Sequence, residues 1–178
     1  MPIQKNIFFH LSTIGIFLLL KILYTQTDTN DLLFLLQPTN TLIELINNSP
    51  SVYSQLIGYY HADLNIVINK SCSGFNFWIL CFVMLNFKIA STLKNTLQYI
   101  LATASILIGA YMFTIFVNTS RITFSIFMTP ITNSIYNNTP PNWLHEAEGS
   151  FIYLSFLIII YLGFDHILSK FNKHEKHT

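Results

Sequence analysis

From Leu97 to Val117 the chain carries no charged residue. An apolar stretch of that length can hide in lipid or in the middle of a large protein, and a chain of 178 residues offers little room for the second. Three more apolar runs accompany it. Ile7 to Tyr24 is interrupted only by Lys21, Gly74 to about Ile89 carries Trp78 and ends near Lys88, and Gly149 to Leu168 contains one acid, Asp165. A spanning helix needs about 20 mostly apolar residues. Leu97–Val117 meets this outright. The first and fourth runs meet it with snorkelling or tilt, and the second by extending past Ser71 and Lys88. Composition agrees: the chain is 52% hydrophobic and 10% charged, against roughly 25% charged in soluble domains. The expected fold is therefore all-α, a polytopic helical bundle forming one integral membrane domain over residues 1–178. Spans are expected at about 7–24, 73–91, 97–117 and 149–168, with short interfacial helices between them.

The charges suggest an orientation. With the N-terminus inside, four spans return the C-terminus inside, and the inner side holds Lys5, Lys88, Lys94, Lys170, Lys173 and Lys176. The outer side holds Lys70 and Arg121, with Lys21 near the boundary. This asymmetry fits the positive-inside rule. Asp28, Asp31, Glu44, Asp63, Glu146 and Glu148 also fall outside, a weaker signal. No small-residue cleavage site follows Tyr24, so the first run is expected to stay as an anchor. A net charge of +1 argues against a nucleic-acid partner, which takes clustered Lys and Arg. Of the two cysteines, Cys81 lies inside an apolar run, which argues against a Cys72–Cys81 disulfide.

Two outer segments remain, 25–71 and 118–148. In the first, the apolar Leu32–Leu36 is expected to stop at Pro38, with Thr41 capping a short interfacial helix over Leu42–Ile46. Leu64, Ile66 and Ile68 alternate with Asn65 and Asn69, the pattern of a short strand. The second segment is expected to be a loop, marked by Asn137, Asn138, Pro140 and Pro141.

On this topology three separate loops bring reactive groups to one membrane face. Cys72 stands in Ser71-Cys72-Ser73-Gly74 at the outer start of the second span, Arg121 just past the outer end of the third, and His145 just before the outer start of the fourth. A thiol at a helix N-terminus is favoured as thiolate by the helix dipole, a neighbouring His can hold its proton, and Gly74 lets the backbone approach the sulfur. A guanidinium can donate hydrogen bonds to the oxyanion of a tetrahedral intermediate, where such donors contribute about 3–4 kcal/mol. The chemistry these groups suit is acyl transfer, and the sulfur is expected near hydrogen-bond distance of His145 or Arg121.

Cys72-Ser73-Gly74, the Asn118-x-x-Arg121 pattern and His145 ahead of a final span resemble the exosortase and archaeosortase family, in the same order and with the same separation by apolar helices. The short length and Cys72-Ser73-Gly74-Phe75-Asn76-Phe77-Trp78 look most like the small exosortase K branch. The resemblance covers roughly residues 35–165. It implies a membrane cysteine transpeptidase or protease of the bacterial cytoplasmic membrane, with its site on the outer face, that cleaves C-terminal hydrophobic sorting tails of exported proteins. By this resemblance Cys72 is the nucleophile, Arg121 the transition-state stabiliser and His145 the acid/base. Typical family members have about eight spans, and the helices this chain lacks leave their accessory roles without a counterpart.

Other readings of the same residues stay open. Arg121 can be a headgroup anchor, His145 an interfacial histidine, and Asn118 either a helix C-cap or a supporting partner of Arg121. Glu146 and Glu148 read as solvated acids, Cys81 as a small hydrophobe, His61 as a spare histidine, and Tyr59, Tyr60, Trp78 and Trp143 as an interfacial aromatic belt. No cofactor and no metal is expected. His145-Glu146 starts like a zinc-protease helix motif, but Gly149 stands where the second His belongs, and there is no Gly-rich phosphate loop. The rival class is a non-enzymatic membrane scaffold or a subunit of a transport or secretion complex. A thiol redox protein would want a second cysteine close by.

Overall fold

A computed structural model describes residues 2–93, 95–136 and 141–175. Lys94, Lys176, Asn137, Asn138 and Pro140 lie outside the described residues. The chain is 79% helical. Its helices are α1 (Pro2–Gln26), α2 (Leu33–Asn47), α3 (Phe75–Ala90), α4 (Thr96–Ile135) and α5 (Asn142–Glu175). Among the described residues four segments are long and apolar enough to cross a membrane: Ile7–Gln26, Lys70–Ala90, within Thr96–Ile135, and within Trp143–Lys170.

Packing sets the order of the bundle. At one end Phe9 of α1 meets Ala90 of α3 and Tyr99 of α4 in a small buried cluster. The Phe9 and Tyr99 rings stack at 4.0 Å, and Asn86 donates to Thr13 Oγ1 at 2.7 Å and to the Tyr99 hydroxyl at 3.0 Å. Lys88 of α3 and Asp165 of α5 form an ion pair at the same end. At the other end Tyr24 of α1 stacks on Phe75, the first residue of α3, at 4.6 Å. The four long helices thus alternate in direction. The outward faces of α1 and α5, with Leu11, Leu18, Ile22, Phe151, Leu154 and Leu162, are exposed and apolar, a surface suited to lipid and disfavoured in water.

The described residues also contain one small sheet, so the fold is not purely helical. Strands β1 (Val52–Ser54), β2 (Gly58–His61) and β3 (Ile66–Ile68) pair antiparallel in the order β1-β2-β3, with Val52 opposite Tyr60 and His61 opposite Ile66. Of the strand expected at 64–68, Ile66–Ile68 is there, while Leu64 and Asn65 lie in the turn before it. His61, fully buried, pins the sheet to α2: Nε2 lies 2.9 Å from Asn40 Oδ1 and Nδ1 3.1 Å from the Ser49 carbonyl. Glu44 secures the same corner by accepting from the Ser51 amide at 2.9 Å and its hydroxyl at 2.6 Å. The Ser51 hydroxyl holds the Glu44 carboxyl below the usual carboxylate range.

Three expectations fail on α2 and α3. Pro38 does not stop α2 but sits inside it. A proline there deprives the carbonyl four residues earlier, that of Phe34, of its helical donor. The Tyr111 hydroxyl of α4 supplies the replacement, donating to the Phe34 carbonyl at 2.7 Å. Thr41 is accordingly mid-helix rather than a cap, its hydroxyl donating to the Gln37 carbonyl at 3.0 Å. Trp78 is not part of a belt: its Nε1 donates to the Leu107 carbonyl at 3.2 Å and its ring packs edge-on against Phe34 and Phe75.

The largest difference concerns residues 118–148. Their described part is mostly helix: α4 runs on through Pro130 to Ile135, and α5 begins at Asn142. At 1.5 Å per residue α4 is roughly 60 Å long, about twice a hydrocarbon core. Its second half runs beside β3 and pairs with the start of α5.

Candidate active site

Cys72 closes a 3-10 turn, Lys70–Cys72, that links β3 to α3. Asn69 builds this turn. Its side-chain oxygen accepts from the Ser71 amide at 3.1 Å and the Ser71 hydroxyl at 2.8 Å, and its carbonyl accepts from the Cys72 amide at 2.9 Å. The sulfur therefore stands two residues ahead of the α3 N-cap, Gly74, at the start of the span where the sequence suggested it. Gly74 adopts φ 71°, and a Cβ there would lie 3.1 Å from Asn118 Cγ and Thr114 Cγ2. A side chain at this position would be strained by its backbone and crowded by α4. The Cys72 Sγ lies 3.7 Å from Ser71 Oγ and 4.0 Å from the Val67 carbonyl of β3. Both cysteines are free thiols, Cys72 half-buried and Cys81 fully buried.

Asn118 is neither a helix C-cap nor near a helix end. It is fully buried within α4. Its Nδ2 donates to the Cys72 carbonyl at 2.6 Å, and its Oδ1 accepts from the Tyr153 hydroxyl at 2.7 Å. The same hydroxyl accepts from Arg121 Nη1 at 3.1 Å, and the guanidinium lies 5.1 Å from the Tyr153 ring centre. Asn118 and Tyr153 thus join the backbone of the thiol residue to the guanidinium. Arg121 lies across α5 at Gly149, where a Cβ would approach its Nε to 2.6 Å. Among the described residues no carboxylate pairs with Arg121, so most of its five donors remain available.

His145 lies in the first turns of α5, exposed, with Nδ1 2.9 Å from the Ser125 hydroxyl of α4. That contact occupies one ring nitrogen and leaves the other to exchange a proton.

The three candidates meet in one cavity of about 230 Å³. Its walls are Ile66, Val67 and Ile68 of β3, Cys72, and a strip of α4 that includes Arg121, Ile122, Ser125 and Ile126, closed by His145. The thiol, guanidinium and imidazole are thus brought to a common space, but no hydrogen bond joins the sulfur to Arg121 or His145 among the described residues. Catalytic contacts commonly tighten only when substrate is bound. The apolar β3 wall suits an extended apolar segment. Among the described residues no group of His, Cys, Asp and Glu could hold a metal ion.

Sequence reasoning missed Tyr153, Ser125 and the role of Gly149. A signal was present. Asn118, Arg121, Ser125 and Thr129 recur at intervals of three and four, as do His145, Gly149 and Tyr153 at intervals of four, each set marking one helix face. No family model, curated protein or solved structure matches the chain.

Proposed function

We propose that this chain is an exosortase-like membrane cysteine transpeptidase or protease that cleaves C-terminal sorting tails of exported proteins, with its site at the outer face of a bacterial cytoplasmic membrane. One observation carries the reading: a thiol, a guanidinium and an imidazole from three elements far apart in sequence line a single cavity. A headgroup-anchoring Arg or a packing Cys has no need of such company.

The chemistry follows from the groups present. His145 takes the proton of the Cys72 thiol, and the sulfur attacks the scissile carbonyl. The carbonyl oxygen becomes an oxyanion, to which the free guanidinium donors of Arg121 can point. Collapse breaks the C–N bond, the departing amine of the tail takes the proton back from His145, and the rest of the substrate stays on Cys72 as a thioester. A second nucleophile then releases it.

The test is co-expression with exported proteins that end in an apolar helix and a basic tail, scored for tail loss. Wild type is expected to remove the tail, Cys72→Ala to leave it in place, and Arg121→Lys to lose most activity, because an ammonium lacks the planar fork of donors. Tail removal by Cys72→Ala at the wild-type rate would overturn the enzyme reading. Wild-type behaviour of Arg121→Lys at equal abundance would return Arg121 to the role of an anchor.

A further inference from the structure

Behind His145 lies a second cavity, of about 160 Å³. It shares Ser125, Thr129 and His145 with the first, and adds Thr132, Asn133 and Glu148 among its walls. The two spaces differ in chemistry. The first is walled by aliphatic side chains around the thiol and guanidinium. The second sets oxygen atoms beside Pro141 and Leu144, and among the described residues no Lys or Arg lines it.

Those oxygens are mostly acceptors. The Thr129 hydroxyl donates to the Ser125 carbonyl at 2.8 Å, and that of Thr132 is within reach of the Met128 and Thr129 carbonyls at 3.2 and 3.0 Å. With their protons committed to their own helix, both threonines have lone pairs left to offer. Glu148 adds a carboxylate that meets no cation among the described residues. Such a wall matches a positively charged, donor-rich group and disfavours an anion inside the cavity, so a phosphate on the same ligand stays outside it.

Resting on the cysteine-transferase reading above, we infer that the second cavity is the acyl-acceptor site and that the acceptor is a primary amine. Its placement suits the step. The thioester is on the Cys72 side of His145, and the acceptor enters from the other side. The ammonium, held by Glu148 and the threonine oxygens, releases one proton to solvent. Its nitrogen attacks the thioester carbonyl, the C–N bond forms and the C–S bond breaks. The second proton passes through the free nitrogen of His145 to the leaving sulfur. The products are an amide and the regenerated thiol, and no other reactant is needed.

The full chain, purified in detergent, would be acylated with phenyl thiohexanoate, which exchanges with the Cys72 thiol and releases thiophenol. Mass spectrometry of wild type and Cys72→Ala checks that step. The acyl-enzyme is then offered glycinamide, O-phosphoethanolamine or glycerol, and the ratio of amide or ester to free acid is measured against acceptor concentration. Saturating amide formation is expected, with glycinamide marking a peptide amine and O-phosphoethanolamine a lipid headgroup amine. Glu148→Gln should raise the half-saturating amine concentration roughly tenfold or more, since a charge-assisted hydrogen bond is lost. Glu148→Asp should restore saturation, and Glu146→Gln, outside the cavity, should match wild type. Amide formation that rises linearly with amine, indifference to Glu148→Gln, or glycerol ester formed as readily as amide would overturn the acceptor site while leaving Cys72 as the nucleophile. Failure of Cys72 to acylate at all would overturn the cysteine-transferase reading itself, and this inference with it.

Discussion

The Tyr153 hydroxyl of α5 donates to Asn118 Oδ1 of α4 at 2.7 Å, deep in the seam between the two helices. Asn118 in turn donates to the Cys72 carbonyl, and Tyr153 accepts from Arg121. Thiol residue and guanidinium, which touch nowhere directly among the described residues, are therefore set relative to one another by two side chains that take no part in bond making.

Tyr153→Phe keeps the ring under Arg121 but removes the hydroxyl. It leaves Asn118 Oδ1 buried without its donor, at a cost of about 1–3 kcal/mol. Processing is expected to slow well beyond any fall in abundance, with both measured in the same pulse-chase experiment. Wild-type processing at wild-type abundance would mean that Arg121 is positioned by something else.

Gly149→Ala places a methyl group against Arg121, where a Cβ would lie 2.6 Å from Nε. The guanidinium is the movable partner, so the helix should survive and the side chain should be displaced. Alanine also favours helix over glycine by roughly 1 kcal/mol. The expected outcome is unchanged or higher abundance with reduced tail cleavage, read by immunoblot and cleavage assay.

Ser125→Ala removes the contact on His145 Nδ1. The imidazole then has no fixed orientation, and misplacement on the order of 1 Å costs roughly a hundredfold when reacting groups must meet. Cleavage is expected to fall by tenfold or more on this basis, and Ser125→Thr, which keeps a hydroxyl, should recover part of it. Equal rates for both variants and wild type would remove Ser125 from the account.

Glu44 gives a pH-dependent signal away from the site. Its carboxyl is held below its ordinary value by the Ser51 hydroxyl. A depressed folded-state value means that its contribution is complete above the ordinary Glu range and is lost as pH falls through the lowered value. Protease accessibility of the 48–61 segment should therefore rise only at pH below the usual Glu titration range. Glu44→Gln should weaken the corner at neutral pH and flatten that dependence.

How far the sequence could be read depended on which interactions were local. Apolar runs located the long helices, because hydropathy alone decides which segments lipid can cover. Pro38 misled because the hydrogen bond that tolerates it comes from Tyr111, 73 positions away in sequence, by the difference between Pro38 and Tyr111. Residues 118–135 misled because Asn118, Thr119, Ser120 and Thr123 are poor helix formers, and their cost is offset by packing and by the Asn118 bonds to Cys72 and Tyr153. With that segment taken for a loop, the face shared by Arg121, Ser125 and Thr129 could not be seen. Cys72, Arg121 and His145 were legible as residues, whereas the polar chain supporting them was not, since Tyr153 and Ser125 acquire meaning only when two helices are side by side.

The most direct measurement is of the covalent intermediate. Wild type and variants would be co-expressed with a tail-bearing exported protein and analysed for a hydroxylamine-labile adduct between the chain and the tail-less product. The adduct is expected in wild type, absent in Cys72→Ala, and assigned by peptide mass spectrometry to Cys72. Tail cleavage that persists in Cys72→Ala, or an adduct assigned to any other residue, would contradict the account.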